Sequence, residues 1–292
     1  MLTYFQAIIL GVLQGIAEPF PISSLGHSVI LPTLFGWHIN QSDPFFLTFL
    51  VATHFATAIM FIVFFWKDWM NMFKGFVRSI KSKGIPAGDV HAKLAWLLII
   101  GTIPAGILGL ALEKKLRLIF ASPEWAALFL AINGILLYTA EQLRKKTLDA
   151  QNIESETANA GDYRIADKLN WKKAAAIGTA QAAALIPGLS RSGASMGGGL
   201  FVGLSNSDAA RFSFLLATPI IFAASALKLP SLFHAQNHSL LGIAFVGALA
   251  AAIASYFSVH FLMRFLKTNR LTPFAVYCFV VGGGLWIYFL IK

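Results

Sequence analysis

Glu18-Pro19-Phe20-Pro21-Ile22-Ser23-Ser24 breaks an apolar run that extends from Tyr4 to Trp37. Pro187-Gly188-Leu189-Ser190-Arg191-Ser192 breaks a second, from Ala174 to Leu204. Each half of these runs holds about 14 to 17 residues, short of the roughly 20 that cross a bilayer. Proline cannot continue a helix, and a serine after it caps the next one. Each stretch therefore reads as two short helices joined by a turn: a re-entrant helical hairpin. Irregular backbone at membrane depth is tolerated only where it is buried in protein or lines a polar cavity.

The remainder of the chain supplies the membrane. Of 292 residues, 57% are hydrophobic and 12% are Asp, Glu, Lys or Arg, against about 25% charged in an average soluble domain. Mean hydropathy is +0.69. These values exclude a soluble or a disordered chain. Six stretches are long and apolar enough to span: about Pro44 to Trp66, Lys93 to Leu112, Pro123 to Glu141, Arg211 to Leu229, Leu240 to Phe265 and Pro273 to Ile291. The predicted fold is an all-α integral membrane protein with six transmembrane helices and two re-entrant hairpins. No cleavable signal peptide is evident at Met1-Leu2-Thr3-Tyr4, and the lone Cys278 excludes a disulfide framework.

The net charge of +10 would suggest nucleic acid in a soluble protein. Here it reads as topology, and no nucleic-acid partner is expected. Eighteen Lys and Arg fall in the loops after spans one, three and five, and five fall on the other side. By the positive-inside rule the first side is cytoplasmic, so both termini face outward. The first hairpin then enters from outside and the second from inside.

The two interrupted regions also resemble each other. Gly11 to Gln14 parallels Gly178 to Gln181, Pro21 parallels Pro187, and Gly26 parallels Gly193, at offsets of 166 to 167. Phe49 to Thr53 parallels Phe214 to Thr218 at 165, and Pro123 with Tyr138 parallels Pro273 with Tyr288 at 150. The reading is one membrane domain over 1–292. A first repeat covers 1–142 (hairpin 4–37 plus three spans), and a cytoplasmic linker covers 143–171, flexible over Asp149 to Lys168. An inverted second repeat covers 172–292 (hairpin 174–204 plus three spans). Such repeats with broken helices place a site near the midplane.

Glu18 is the one acid deep in an apolar segment, and a buried carboxylate there is a functional candidate by default. Gln14 shares its helical face, Ser23, Ser24 and His27 follow the break, and Arg191 lies between Ser190 and Ser192 with Ser195 a turn later. Helix N-termini near Ser24 and Ser192 would bind an anion, and Arg191 adds a bidentate fork for phosphate. Glu18 and Gln14 offer oxygens to a divalent cation or a base, and His27 an acid or base near neutral pH. This inventory fits phosphoryl-ester or anhydride chemistry, with Ser24 or an activated water as nucleophile. A lipid-phosphate carrier or flippase would use the same groups only to bind. His54, beside Thr53 and Thr57, reads first as an interior histidine, with a place in the lining of the site as the alternative, and the glycine runs 197–199 and 282–284 read as helix contacts.

Gln14 to Glu18 with Pro21 to His27 resembles the (E/Q)xxxE and PxSSxGH elements of the bacterial undecaprenyl-diphosphatase (bacitracin-resistance) family. Pro187 to Ser195 resembles its PGxSRSxxT element, and the layout matches over essentially the whole chain. The resemblance implies hydrolysis of undecaprenyl diphosphate to the monophosphate carrier used for peptidoglycan, and with it bacitracin resistance. It also implies a multi-pass bacterial cytoplasmic (inner) membrane protein whose site opens outward. Glu18, Ser24, His27 and Arg191 become catalytic positions, with His27 the acid–base partner of Ser24. Ser23, Gly188, Ser190, Ser192 and Ser195 become phosphate-binding, and Glu18 and Gln14 ligands for Mg²⁺ or Ca²⁺. The implied partners are undecaprenyl diphosphate and membrane lipids, and a homodimer is compatible with the layout. Gln14 stands where many members have Glu, Leu25 and Ser195 where Thr is usual, and Pro19 where an aromatic or apolar residue is commoner.

Overall fold

The computed structural model describes residues 2–40, 43–120, 122–150, 161–230 and 238–292. Regular structure among them is helical: α1 (Tyr4–Ala17), α2 (Ser24–Leu34), α3 (Pro44–Phe64), α4 (Trp66–Lys81), α5 (Val90–Phe120), α6 (Pro123–Ala150), α7 (Gly161–Lys168), α8 (Trp171–Gln181), α9 (Arg191–Phe201), α10 (Asn206–Lys228), α11 (His238–Phe265) and α12 (Thr272–Ile291). Six of them, α3, α5, α6, α10, α11 and α12, are long and apolar enough to cross a membrane. Their outer faces carry exposed large apolar side chains such as Ile107, Leu110, Phe257 and Val280, a surface suited to lipid.

Both breaks fall where expected. Pro19 and Pro21 have no N–H to extend α1, whose ladder runs out through Glu18 N–H to the Gln14 carbonyl at 2.9 Å and a longer Phe20 N–H to the Ile16 carbonyl at 3.3 Å. Ser23 then caps α2, its Oγ accepting from Gly26 N–H at 3.2 Å. In the second region the chain tightens into a 3₁₀ turn, Ala182–Leu185, and reverses through Gly188 at φ 100°. Ser190 caps α9, accepting from Gly193 N–H at 3.0 Å.

Helices exchange partners between the two halves of the chain. α1 packs on α11, and α8 packs on α5. Both contacts need glycine. A Cβ on Gly11 would strike the Gly247 carbonyl, and one on Gly178 would strike the Gly101 carbonyl. Backbones approach this closely in a membrane because small residues let van der Waals contact replace the missing hydrophobic drive. Gly282 fits the expected contact role, meeting Ala131 and Leu130, whereas a Cβ on Gly283 or Gly284 would meet open space.

Two loop expectations are revised. The charged segment after the first span contains α4, whose Ser79 Oγ accepts from Trp96 Nε1–H of α5 at 2.9 Å and ties the two helices together. Arg78 clamps Asp89 bidentately at 2.8 and 3.0 Å and holds that carboxyl below its ordinary range. The linker is helical at its described ends, because α6 runs on to Ala150 and α7 covers Gly161–Lys168; residues 151–160 lie outside the described set.

The loops assigned to one side do meet at one end of the bundle. Arg211 bonds Asp68 at 2.6 Å, Arg164 approaches Asp208 at 3.5 Å, and Glu141 accepts from Leu271 N–H at 3.0 Å. At the other end Leu2, Phe46 and Ile243 share an apolar cluster.

Candidate active site

The two breaks touch. Ser23 Oγ donates to the Leu189 carbonyl at 3.2 Å, and Ser192 Oγ donates to the Phe20 carbonyl at 3.0 Å. Asn133 on α6 bridges them, its Nδ2 donating to the Pro21 carbonyl at 2.8 Å and its Oδ1 accepting from Ser190 N–H at 3.1 Å. The first turns of α2 and α9 therefore face a common cavity of about 240 Å³. Ser23 and Ser190 take the N–H groups of Gly26 and Gly193, which leaves those of Ser24, Leu25, Arg191 and Ser192 without intrahelical acceptors. Two helix N-termini aimed at one cavity make it receptive to anions.

Glu18 is the hub. Its Oε1 takes the Arg191 guanidinium, and its Oε2 accepts from Gln14 Nε2 at 2.9 Å and from Ser24 Oγ at 2.5 Å. His54 Nε2 lies 3.2 Å from the same oxygen and 3.4 Å from Ser24 Oγ. The His54 Nδ1–H donates to the Leu50 carbonyl at 2.7 Å, so its Nε2 is the nitrogen that faces the serine. Glu18, Ser24, Arg191 and His54 thus assemble a carboxylate, a hydroxyl, a guanidinium and an imidazole at the cavity wall, with Ser23, Ser190 and Ser192.

Other expected residues stand elsewhere. His27 is turned away from Ser24: Nδ1–H donates to the Ser23 carbonyl at 2.8 Å, and Nε2 accepts from Tyr277 O–H at 2.9 Å with the rings stacked. The imidazole beside the serine is that of His54, not His27, because α3 carries it across from the neighbouring span. His27 instead fixes the carbonyl of Ser23, whose φ of 67° lies in the left-handed region that a serine adopts only when held. Gly188 does not reach the cavity. A Cβ there would meet the Ala126 carbonyl and Phe129 on α6, so this glycine serves close packing. Ser195 lies behind the site, donating to the Arg191 carbonyl at 2.8 Å and bonding Ser213 Oγ at 2.5 Å.

Asn133 and Tyr277 are not singled out by the sequence, and His54 is read from it first as an interior histidine and only second as lining the site. The signal was the cost of polar side chains inside spans, but neither spacing nor motif ties them to the breaks.

As for a divalent cation, no group of three or more His, Cys, Asp or Glu is placed to hold one among the described residues. The fit is to a cation shared with a ligand. Gln14 Oε1 is buried without a hydrogen-bond partner among the described residues and sits on the side chain that contacts Glu18. One carboxylate and one amide oxygen match the way Mg²⁺ is held by one or two protein ligands plus substrate phosphates.

An all-helical membrane bundle with a buried carboxylate–guanidinium centre defines the class. Comparison places the chain within it. The family model for bacitracin resistance protein BacA matches residues 7–284. An undecaprenyl-diphosphatase of Mycolicibacterium paratuberculosis is 41% identical, aligned over 100% of this chain and 99% of that protein. Undecaprenyl-diphosphatase 2 of Chromobacterium violaceum is 43% identical over 95% of each chain, and that of Burkholderia thailandensis 44% identical over 94% of this chain and 93% of its own. The chain belongs to the bacitracin resistance protein BacA family and is a multi-pass membrane protein.

Proposed function

We propose that the protein is an undecaprenyl-diphosphatase. It hydrolyses the phosphoanhydride of undecaprenyl diphosphate to undecaprenyl phosphate and inorganic phosphate, returning the lipid carrier to peptidoglycan synthesis and conferring bacitracin resistance. The observation that carries this reading is the Glu18–Ser24–His54–Arg191 cluster where two helix N-termini converge, in a member of a family whose relatives bear that name.

The chemistry follows from the hydrogen bonds. Arg191 and the N–H groups of Ser24, Leu25 and Ser192 bind the terminal phosphate and stabilise charge on its oxygens. Ser24 Oγ attacks phosphorus as its proton passes to Glu18 Oε2, 2.5 Å away. The bond to the bridging oxygen breaks, and undecaprenyl phosphate leaves. Water then hydrolyses the phosphoserine: His54 Nε2 takes the water proton, Ser24 Oγ regains the proton held by Glu18, and inorganic phosphate is released. If water attacks directly, Ser24 only binds phosphate; Ser24→Ala with most turnover retained would select that route.

A divalent cation carried by the diphosphate would be held by Glu18 and Gln14. It would neutralise charge on the leaving phosphate.

We also assign the two broken helix pairs as re-entrant hairpins of an inverted repeat, in the domain boundaries given above. The exchanged packing of α1 on α11 and α8 on α5 supports this. The protein sits in the bacterial cytoplasmic membrane with termini and site facing outward, supported by the basic loops gathered at one end. A tag at Lys292 found in the cytoplasm would reverse that orientation.

The test of function is phosphate release from undecaprenyl diphosphate by purified protein in detergent. Release is expected. No release, together with translocation of lipid phosphates in vesicles, would replace the enzyme with a carrier.

A further inference from the structure

The wall of the cavity contributed by the second half of the chain holds two polar side chains that the mechanism does not use. Gln181, at the end of α8, and Ser225, on α10, both line the cavity. They are 3% and 1% exposed. Among the described residues, neither polar atom of the Gln181 amide has a hydrogen-bond partner, and neither does Ser225 Oγ. Leaving such groups buried and unpaired costs stability, and such costs are concentrated where a ligand completes the pairing.

Gln181 stands where Gln14 stands in the other half, but the residues four positions on differ. Gln14 is followed by Glu18, to which it donates; Gln181 is followed by Leu185. The second half keeps the amide and lacks the carboxylate, so its donors are not consumed. Ile220 and Leu185 line the same wall and make it apolar around the two polar groups. A diphosphate held at Glu18 and Arg191 by its terminal phosphate has a second phosphate, bonded to the prenyl chain, that also needs donors.

We infer that Gln181 and Ser225 form a second anion subsite, which holds the prenyl-side phosphate while the apolar wall receives the first carbons of the chain. The inference rests on the phosphatase reading for the identity of the lipid. Neutral donors suit this position: that phosphate stays anionic throughout and must leave with the product, and a cation would retain it. The subsite therefore governs affinity for both substrate and lipid product but not for inorganic phosphate.

The experiment compares purified full-length wild type with Gln181→Leu, Gln181→Glu and Ser225→Ala in detergent. Each is read by KM and kcat on a polyprenyl diphosphate, by inhibition constants of a polyprenyl monophosphate and of inorganic phosphate, and by the thermal midpoint. Each removed donor should weaken the monophosphate about tenfold, as one charge-assisted hydrogen bond does. Gln181→Glu should weaken it more, because it places a like charge at the subsite. Inhibition by inorganic phosphate should stay at the wild-type value. The thermal midpoints of Gln181→Leu and Ser225→Ala should be unchanged or raised, since no protein hydrogen bond is lost. Ser225→Ala removes one oxygen and keeps the test open if a glutamine variant misfolds. Wild-type monophosphate inhibition in all folded variants, or weakening of inorganic phosphate instead, overturns the proposal. If wild type releases no phosphate, the activity fails, and direct titration of wild type and variants with the polyprenyl monophosphate in detergent, read by calorimetry with the same tenfold weakening expected, still decides the subsite.

Discussion

Breaking the Glu18–Arg191 pair one side at a time, and then both together, separates its structural from its chemical role. Removing one partner of a buried ion pair costs about 3–5 kcal/mol, because the other charge is left uncompensated. The Glu18 side chain is 5% exposed and that of Arg191 17%. Water thus reaches the guanidinium through the cavity, and the lower end, about 3 kcal/mol, applies. For a chain of this size that corresponds to a fall of roughly 6–12 °C in thermal midpoint for Glu18→Gln or Arg191→Leu. The double variant buries neither charge, so its midpoint should lie near that of wild type, a coupling of about 6 kcal/mol from two singles of about 3 kcal/mol each. The assay is thermal unfolding in detergent micelles beside phosphate release. All three variants should lose turnover, because the phosphate clamp or the proton acceptor is gone in each. A double variant whose midpoint falls by the sum of the two singles would refute the pairing, and one with near-normal turnover would refute the site.

Other perturbations read single contacts. His54→Gln should lower kcat about 10²- to 10⁴-fold, the usual share of a general acid–base, with little change in midpoint; more than a tenth of wild-type turnover would exclude that role. Asn133→Leu leaves Ser190 N–H unpaired at roughly 1–3 kcal/mol and the Pro21 carbonyl with only the weak Cys278 Sγ–H contact at 3.7 Å, so it should lower both midpoint and turnover; an unchanged midpoint would show that the two breaks do not need this bridge. Chelating divalent cations should depress turnover, and Gln14→Leu should raise the cation concentration needed to restore it; full activity in chelator would remove the cation.

Much of this protein follows from local sequence. A proline pair at Pro19 and Pro21 ends a helix wherever it lies, and Ser23 or Ser190 caps the next, so both breaks and all six long apolar helices were legible. Glu18 and Arg191 stood out because a charge in an apolar run is costly whatever its neighbours are. What lies across a helix–helix contact is not written in local spacing. His54 reaches Ser24 because α3 packs beside the first break, and His27 turns to Tyr277 some 250 positions away. Gly188, read as a phosphate ligand, is instead pinned against α6 by a contact that no motif records. Periodicity and the price of burying charge act along the chain and can be read from it. The identity of the histidine at the serine, the Asn133 bridge and the unpaired Gln181 depend on which faces meet, and only packing in three dimensions decides that.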